Sequence, residues 1–260
     1  MFENKQFQKF IDKAKKEKLD IALTHVVNTT GSTFTKEGNI MLVNSKNEFT
    51  GVLGSNFLQE KVKENSLKAL ETKQNQNFES IAKDPSSGHG NSNFETIAFF
   101  YENDYKGIEK FISKPFSLLI FGNGEHVKPL ISMANLMNWK TTVVDVKIKE
   151  HCVKEVDEVI LLENLEDIKS MNLSIYDAAV ILSHNPKTDD IYLQSLLKID
   201  IEYIGLMGNK QNAKRKKEQF NLEDDKRFFA PIGLDIGSYT PESIALSICA
   251  QIVSNKNKKI

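Results

Sequence analysis

The chain has 260 residues, of which 40% are hydrophobic, and its formal net charge is −1. This length and apolar content are enough for one large domain or two modest ones. The near-neutral charge excludes the strong positive field that draws a protein to nucleic acid or to a membrane surface. No apolar run approaches the roughly 18 residues that a membrane span needs, and the Lys-rich start lacks the apolar core of a signal peptide. We therefore expect a cytoplasmic protein with no nucleic-acid or membrane partner.

Cysteine and arginine are both scarce. Cys152 and Cys249 are far apart and form no C-x-x-C pair, so a zinc or disulfide framework is not expected. His151 stands beside Cys152, but this isolated pair is given no role. Of the 34 basic residues only Arg215 and Arg227 are arginine. Because arginine is the usual bidentate ligand of phosphate and carboxylate, an anion site here has to use lysine, backbone N–H groups and helix N-termini.

The pattern in the first half predicts a mixed β/α domain over residues 1–112. It begins with a Lys- and Glu-rich helix and an apolar strand. The expected elements are a helix over Glu3–Lys18, strands over Ile21–Val27, Ile40–Val43 and Phe49–Leu53, a helix over Phe57–Leu70, a loop over Asp84–Asn93 and a strand over Thr96–Tyr101.

The second half, residues 113–260, has a regular alternation of strand and helix. Its apolar runs are continuous, as in buried parallel strands. Strands are expected at Phe116–Phe121, Thr141–Val146, Val159–Leu162, Ala178–Leu182 and Tyr203–Met207, and helices over Val127–Met137, from Ile191, over Lys210–Phe220 and from Pro241. Thr240 is a suitable N-cap before Pro241. This alternation predicts a Rossmann-like, doubly wound parallel sheet.

A glycine turn follows the first of these parallel strands and opens a helix. Gly122 permits a tight turn and Gly124 a close backbone approach, where a dinucleotide phosphate meets a helix N-terminus. Asp145 ends the second strand, where a ribose hydroxyl is held. Val127, however, occupies the third glycine position, and Glu125 adds a negative charge. Both NAD(P) binding and a Rossmann scaffold without a dinucleotide therefore stay open.

Four ordered motifs make a family resemblance specific. They are Ser183–Asp189 (SHNPKTD), Tyr203–Gly208 (YIGLMG), Pro231–Gly237 (PIGLDIG) and Thr240–Ala245 (TPESIA). Over about Phe116–Val253 the chain resembles the C-terminal, Rossmann-like domain of the XdhC/CoxI family. Thr24–Val27 and Gly31–Phe34 resemble that family's opening strand and first glycine turn, although Thr35–Glu37 replaces two arginines and a proline.

The chain also departs from the family at two cysteine positions. One corresponds to Phe57 in Gly54–Phe57, and the other to His89 between Gly88 and Gly90. A thiolate is a soft ligand suited to molybdenum or persulfide chemistry, whereas phenylalanine cannot ligate and histidine is a poorer match. We therefore expect a divergent member that keeps cofactor or partner binding rather than a sulfur step. His89 remains a candidate metal ligand.

The resemblance implies a chaperone whose cargo is molybdenum cofactor. Such a protein binds the cofactor and supports its sulfuration or its insertion into a xanthine-dehydrogenase-type molybdenum hydroxylase. The implied partners are that apo-enzyme, a cysteine desulfurase and a second copy of the chain in a homodimer. Two alternatives stay open: an NAD(P)-dependent oxidoreductase, and a degenerate paralogue that binds only protein partners.

The pterin of this cofactor carries a phosphate, so its site needs an anion-binding element. The helix start at Gly122 and Gly124 is one candidate. Gly205 and Gly208 form another, with Lys210 on the helix that follows. Lys214 and Arg215 extend this basic run, which on its own is more typical of a solvated helix face. Its position just past a glycine-ended strand brings the two interpretations closer to equal.

Three further candidates lie in loops after strands. His184 and Asn185 stand at the sheet edge where open α/β folds bind ligands. There His184 would hydrogen-bond a pterin or act as an acid or base, or else order the loop. Asp189 or Asp190 is expected to cap the helix that begins near Ile191. Asp235, between two glycines, is either a buried loop-ordering carboxylate or a ligand contact.

Overall fold

The structure is a computed structural model and describes residues 5–81, 90–183 and 185–259. The candidate residues His89 and His184 therefore lie outside the described residues. The chain divides into two compact units, and the boundary between them falls between Lys114 and Pro115. The sequence pattern places this boundary after residue 112.

Within the described residues, the first unit contains a five-stranded antiparallel sheet in the order β3-β2-β1-β5-β4. Its elements are α1 (Lys5–Glu17), β1 (Ile21–Thr30), β2 (Ile40–Asn44), β3 (Phe49–Thr50), α2 (Asn56–Thr72), β4 (Gln76–Ser80) and β5 (Asn91–Phe99). β4 is absent from the sequence prediction because it is an edge strand with one large apolar residue, Phe78. The alternation of β1 places Leu23 against α1 and Val26 against α2, so both faces of the sheet are covered.

The described part of the second unit contains a six-stranded parallel sheet in the order β11-β10-β9-β6-β7-β8. The strands are β6 (Ser117–Phe121), β7 (Lys140–Asp145), β8 (Glu158–Leu161), β9 (Ala178–Ile181), β10 (Tyr203–Leu206) and β11 (Phe228–Phe229). Chain order reverses between the central strands β6 and β9, as in a Rossmann fold. This confirms the doubly wound architecture and makes the carboxyl edge of the sheet the place to search for a ligand site.

Helices cover both faces of this sheet. They are α3 (Val127–Leu136), α4 (Pro186–Leu196), α5 (Lys210–Phe220) and α6 (Pro241–Lys256). On one face Leu130 of α3 packs in a core cluster with Ile248 of α6. On the other face the ring of Tyr192 in α4 stacks on Phe121, with 4.2 Å between ring centroids. Within the described ranges no helix is both long enough and apolar enough to cross a membrane.

The start of α4 differs from the sequence prediction. The helix begins at Pro186, with Asn185 as its N-cap, because asparagine followed by proline is a strong helix start. The expectation that Asp189 or Asp190 caps a helix near Ile191 is therefore wrong. Both aspartates lie inside the helix. Asp189 accepts a hydrogen bond from Ser183 Oγ at 2.5 Å.

Candidate functional site

A pocket of about 610 Å³ lies beside the carboxyl end of β10. Its volume falls in the range of about 300–1,000 Å³ that is usual for small-molecule sites. The lining residues come from the residue before α3, the end of β10, the start of α5, the loop before α6 and α6 itself. They are His126, Met207, Gly208, Lys210, residues 231–236, Ser238, Ile244 and Ser247. Three residues singled out from the sequence, Gly208, Lys210 and Asp235, are thus brought together.

Hydrogen bonds to β10 and α6 fix the loop that forms one wall of the pocket. The backbone N–H of Ile232 donates to Leu206 O at 3.0 Å, and that of Leu234 donates to Ser247 O at 3.2 Å. Gln251 Oε1 accepts from the N–H of Gly233 at 2.8 Å. The same oxygen accepts from the buried hydroxyl of Tyr203 at 2.6 Å. The wall is therefore a preformed part of the fold.

Gly205 contributes to this wall indirectly. It lies inside β10, and a Cβ there would come within 2.3 Å of Ile232 Cδ1. Glycine at this position lets Ile232, which lines the pocket, pack against the strand. The structure therefore gives Gly205 a packing role in the strand, while Gly208 directly precedes the N-cap of α5, Asn209.

The N-terminus of α5 supplies the pocket's potential anion site. Asn209 caps the helix by accepting a hydrogen bond from the N–H of Asn212 at 2.8 Å. Gly208 and Lys210 border the pocket on either side of this cap. Lys214 and Arg215, by contrast, line a separate depression of about 650 Å³. Lys210 is therefore the cation that the basic run contributes to the first pocket, and it shares a further depression of about 450 Å³ with Lys214.

Asp235 is exposed in the pocket wall. The alternative of a buried, loop-ordering carboxylate is therefore wrong, and the side chain is accessible to a ligand. His126, which no sequence motif singled out as a ligand, also lines the pocket. It directly precedes α3. Its position next to the glycine turn was the sequence signal that could have placed it at the carboxyl edge of the sheet.

The two glycines of the turn after β6 have different surroundings. Gly122 has φ 122°, and a Cβ there would lie 2.8 Å from the carbonyl carbon and oxygen of Leu182. Its lack of a side chain is required by packing against the segment that follows β9. For Gly124, no atom of the described residues lies within 4 Å of the position of an added Cβ. Neither glycine lines the pocket.

Asp145, the residue expected to hold a ribose, is 8% exposed. Its Oδ1 accepts a hydrogen bond from the N–H of Val146 at 2.7 Å and faces the hydroxyl of Tyr192 at 3.5 Å. Burial raises the pKa of this carboxyl, and hydrogen bonds from the N–H groups of Val146 and Lys147 oppose the rise. The carboxyl is thus engaged by the protein, which disfavours dinucleotide binding at this point.

Asn185 acts as the cap of α4 through a hydrogen bond from the N–H of Lys187 at 3.1 Å. It does not line the pocket described above. In the first unit, Phe57 stands where the family has a cysteine and is 76% exposed, in the first turn of α2. The preceding Ser55 caps that helix. The side chain at this position is therefore solvent-accessible, but it is not a thiol.

Comparison with known proteins identifies relatives of both units. The family described as the XdhC Rossmann domain matches residues 118–252, and the XdhC and CoxI family matches residues 14–81. A probable xanthine dehydrogenase subunit of Bacillus subtilis (strain 168) is 27% identical over 155 residues, 58% of this chain and 46% of that protein. An uncharacterized protein of Escherichia coli (strain K12), YqeB, is 22% identical over 255 residues, 94% of this chain and 45% of that protein. The chain thus spans about half the length of these curated relatives.

A solved structure shares the fold over nearly the whole chain. It is a crystal structure described as a xanthine dehydrogenase from Bacillus halodurans, with a TM-score of 0.81 and 17% sequence identity. The match covers 97% of this chain and 96% of that one. At this identity the similarity establishes the fold, and both units are part of it.

Proposed function

Because the chain belongs to the XdhC and CoxI family, we propose that it is an accessory protein for a xanthine-dehydrogenase-type molybdenum hydroxylase. In this role it binds molybdenum cofactor as cargo and supports its insertion into the apo-enzyme. The relative from Bacillus subtilis is named as a probable subunit of a xanthine dehydrogenase, which supports this class of partner.

The observation that carries the proposal is the pocket at the carboxyl edge of the Rossmann sheet, where Gly208, Lys210 and Asp235 meet. The N-terminus of α5 presents backbone N–H groups and the positive end of a helix dipole. Together with the Lys210 ammonium, these groups match the phosphate of a pterin cofactor. No arginine is needed for this site.

The remaining walls fit the pterin ring. Ile232, Leu234 and Ile244 provide apolar surface for its flat faces. The pyrimidine edge of a pterin carries neighbouring N–H donors, and the exposed carboxylate of Asp235 is an acceptor with two oxygens. In this arrangement Lys210 and Asp235 orient opposite ends of the ligand.

The oxidoreductase alternative is less well supported. It needs a free ribose-binding carboxylate after β7, but Asp145 is buried and hydrogen-bonded within the protein. It also needs a glycine turn suited to a pyrophosphate, whereas Glu125 there pairs with His151 at 3.3 Å. A dinucleotide that nevertheless binds would raise the stability by about 2.7 kcal/mol at a hundredfold excess over its Kd.

The sulfuration step is not part of the proposal. Phe57 occupies the position that the family resemblance matches with a cysteine. The two cysteines of the chain are buried elsewhere. A cysteine desulfurase partner, the homodimer and the cytoplasmic location stay predictions from the family resemblance. Binding and insertion are functions that these residues still permit.

The proposal is tested by mixing the anaerobically purified chain with molybdenum cofactor and separating the mixture by gel filtration. We expect pterin, detected by its fluorescence after oxidation, to co-elute with the protein at close to one equivalent. A protein peak without pterin, from a sample with a normal melting transition, would contradict cofactor carriage. In that case the partner-only alternative would stand.

The location of the site is tested with a matched pair of lysine variants. Lys210→Met is expected to weaken cofactor binding about tenfold, because one charge-assisted hydrogen bond to phosphate is lost. Lys214→Met, on the same helix but in the separate depression, is the control and should bind like the unchanged chain. Equal affinities for both variants would place the cofactor elsewhere.

A further inference from the structure

Three potential metal ligands lie together at the glycine turn that follows β6. They are Glu125, in the turn itself, and His151 and Cys152, at the end of a short 3₁₀ helix over Glu150–Cys152. Their ligand atoms all lie within 4.8 Å of one another, and Glu125 Oε1 is 3.3 Å from His151 Nε2. None of the three lines the pocket at the start of α5.

The cluster has the composition of a transition-metal site. A thiolate, an imidazole and a carboxylate together suit Zn²⁺, whereas Mg²⁺ and Ca²⁺ take oxygen ligands. Three protein ligands also leave a fourth tetrahedral position open, as in catalytic zinc sites. We propose that Glu125, His151 and Cys152 form a Zn²⁺ site with one open position.

The separations require only a small adjustment. Zinc bonds of about 2.0–2.3 Å place tetrahedral ligand atoms about 3.3–3.8 Å apart. The Glu125 to His151 distance of 3.3 Å already meets this value, and the other pairs, at most 4.8 Å apart, have to close by no more than about 1.5 Å. Glu125 and His151 are each 65% exposed and free to move toward the metal, while Cys152, 1% exposed, is the fixed base of the site.

Hydrogen bonds around the cluster fix the glycine turn, which carries Glu125, relative to the segment that carries His151 and Cys152. Asn123 Nδ2, in the glycine turn, donates to the backbone oxygen of Lys147. Downstream, Asn135 Nδ2 of α3 donates to Glu155 O at 2.8 Å, and Ser132 Oγ donates to the Glu155 carboxylate at 3.1 Å. The segment that carries His151 and Cys152 is therefore tied to the turn and to α3 on both sides. Ligands placed on such supported segments need little ordering when a metal binds.

The site also accounts for the departure from a dinucleotide fingerprint. Glu125 places a negative charge where a Rossmann protein holds a pyrophosphate, and such a charge suits a cation. Lys149 Nζ lies 3.9 Å from Glu125 Oε1, with both side chains at least half exposed. An exposed pair of this kind contributes less than about 1 kcal/mol, so Lys149 is a weak competitor for a divalent ion.

Co²⁺ titration of the untagged, chelator-treated full chain tests the proposal, with Zn²⁺ as competitor. We expect one equivalent of Co²⁺ to bind, with the thiolate-to-cobalt charge-transfer absorption of a cysteine ligand, and Zn²⁺ to displace it. Cys152→Ser should abolish this absorption. Cys249→Ser is the matched control, since Cys249 is a buried residue of α6 and is not one of the three clustered ligands, and it should retain the absorption.

Exposed-ligand variants keep the test decisive if Cys152→Ser folds poorly. His151→Gln and Glu125→Gln are each expected to weaken Co²⁺ binding by about tenfold or more. Glu150→Gln, on the same exposed turn, should leave it unchanged. Co²⁺ binding without the thiolate absorption would overturn the proposal, because Cys152 would not be a ligand. Equal Co²⁺ binding by the unchanged chain and by both ligand variants would also overturn it, because Glu125 and His151 would then form only a surface ion pair. The cofactor experiment is independent of this result, because it uses a different pocket and a different readout.

Discussion

Gly122 and Gly124 lie two residues apart in one turn, but the protein around them constrains only Gly122. Its φ of 122° is strained for any residue with a Cβ, and that Cβ would meet backbone atoms of Leu182 at 2.8 Å. Gly122→Ala is therefore expected to lower the free energy of unfolding by about 2 kcal/mol or more. The urea midpoint of the purified variant measures this loss.

Gly124→Ala is the matched control for that substitution. No described atom lies within 4 Å of its added Cβ, so the change should stay within about 0.5 kcal/mol. If both alanine variants were destabilised equally, the close approach to Leu182 would not explain the requirement at Gly122.

Asp145 gives a pH dependence of known sign. Burial raises its pKa in the folded state, so its charge opposes folding. The stability of the protein relative to Asp145→Asn is expected to be highest below the ordinary aspartate pKa of about 3.9. It should fall as the pH rises through the higher pKa of the folded state, and then stay level. Melting temperatures of both proteins between about pH 3 and pH 7 measure the difference, because this range includes the ordinary aspartate pKa.

Asp225 is the control of opposite sign. The guanidinium of Arg227 hydrogen-bonds this carboxylate at 2.8 Å and lowers its pKa. Its stabilising contribution is present above the ordinary aspartate pKa and is lost as the pH falls. The stability of the unchanged protein relative to Asp225→Asn should therefore grow as the pH rises. If its stability relative to Asp145→Asn also grew with pH, that result would contradict the effect of burial on the Asp145 pKa.

At the scale of single residues, three of the candidates from the sequence lie in one pocket, and their roles stay predictions. Gly208, Lys210 and Asp235 meet in one pocket because each follows the end of a parallel strand. Asp145 ends a strand and Asn185 follows one, but their polar atoms accept hydrogen bonds from neighbouring backbone N–H groups. No local pattern distinguishes these cases, because the direction of a side chain depends on packing by distant residues.

Among the elements, α4 and α5 are joined by a partly buried ion pair. Lys216 of α5 is 1% exposed and donates to the carboxylate of Asp190 and to Pro186 O in the first turn of α4. Lys216→Met would leave Asp190, 27% exposed, without this cation. We expect the free energy of unfolding to fall by about 2–3 kcal/mol. The fall is smaller than the roughly 3–5 kcal/mol for a fully buried pair, because water still reaches the Asp190 carboxylate.

Lys214→Met is the control for the ion pair. Lys214 is 79% exposed and lies 3.7 Å from Glu218, so its loss should cost less than about 0.5 kcal/mol. The double variant Asp190→Asn with Lys216→Met should recover part of the stability, since it removes the unpaired charge. Equal urea midpoints for Lys216→Met and Lys214→Met would show that the pair contributes nothing.

Element boundaries were predictable where caps and apolar runs agreed. α5 spans Lys210–Phe220 as expected, and Thr240 caps α6 with Pro241 in its first turn. β4 and β11 were missed because each depends on pairing with a longer neighbour. A two-residue strand such as Phe228–Phe229 has no periodicity of its own.

For the whole molecule, alternation of buried strands and helices was enough to predict a Rossmann-like unit after a mixed β/α unit. The pocket was less accessible to sequence reasoning, since Met207, Ile244 and Ser247 meet only through the packing of α6. The cluster of Glu125 with His151 and Cys152 was missed for the same reason, since 26 residues separate its first two members. Only the adjacent His151 and Cys152 hinted at it.

The accessory role is tested most directly by activating a cofactor-free xanthine-dehydrogenase-type enzyme. The apo-enzyme is mixed anaerobically with molybdenum cofactor, with or without this chain, and substrate oxidation is then measured. If the enzyme requires a sulfurated cofactor, that form is supplied, because insertion is the step proposed here. We predict faster and more complete activation with the chain than without it, and a smaller gain with Lys210→Met. Equal activation with and without the chain would contradict the account.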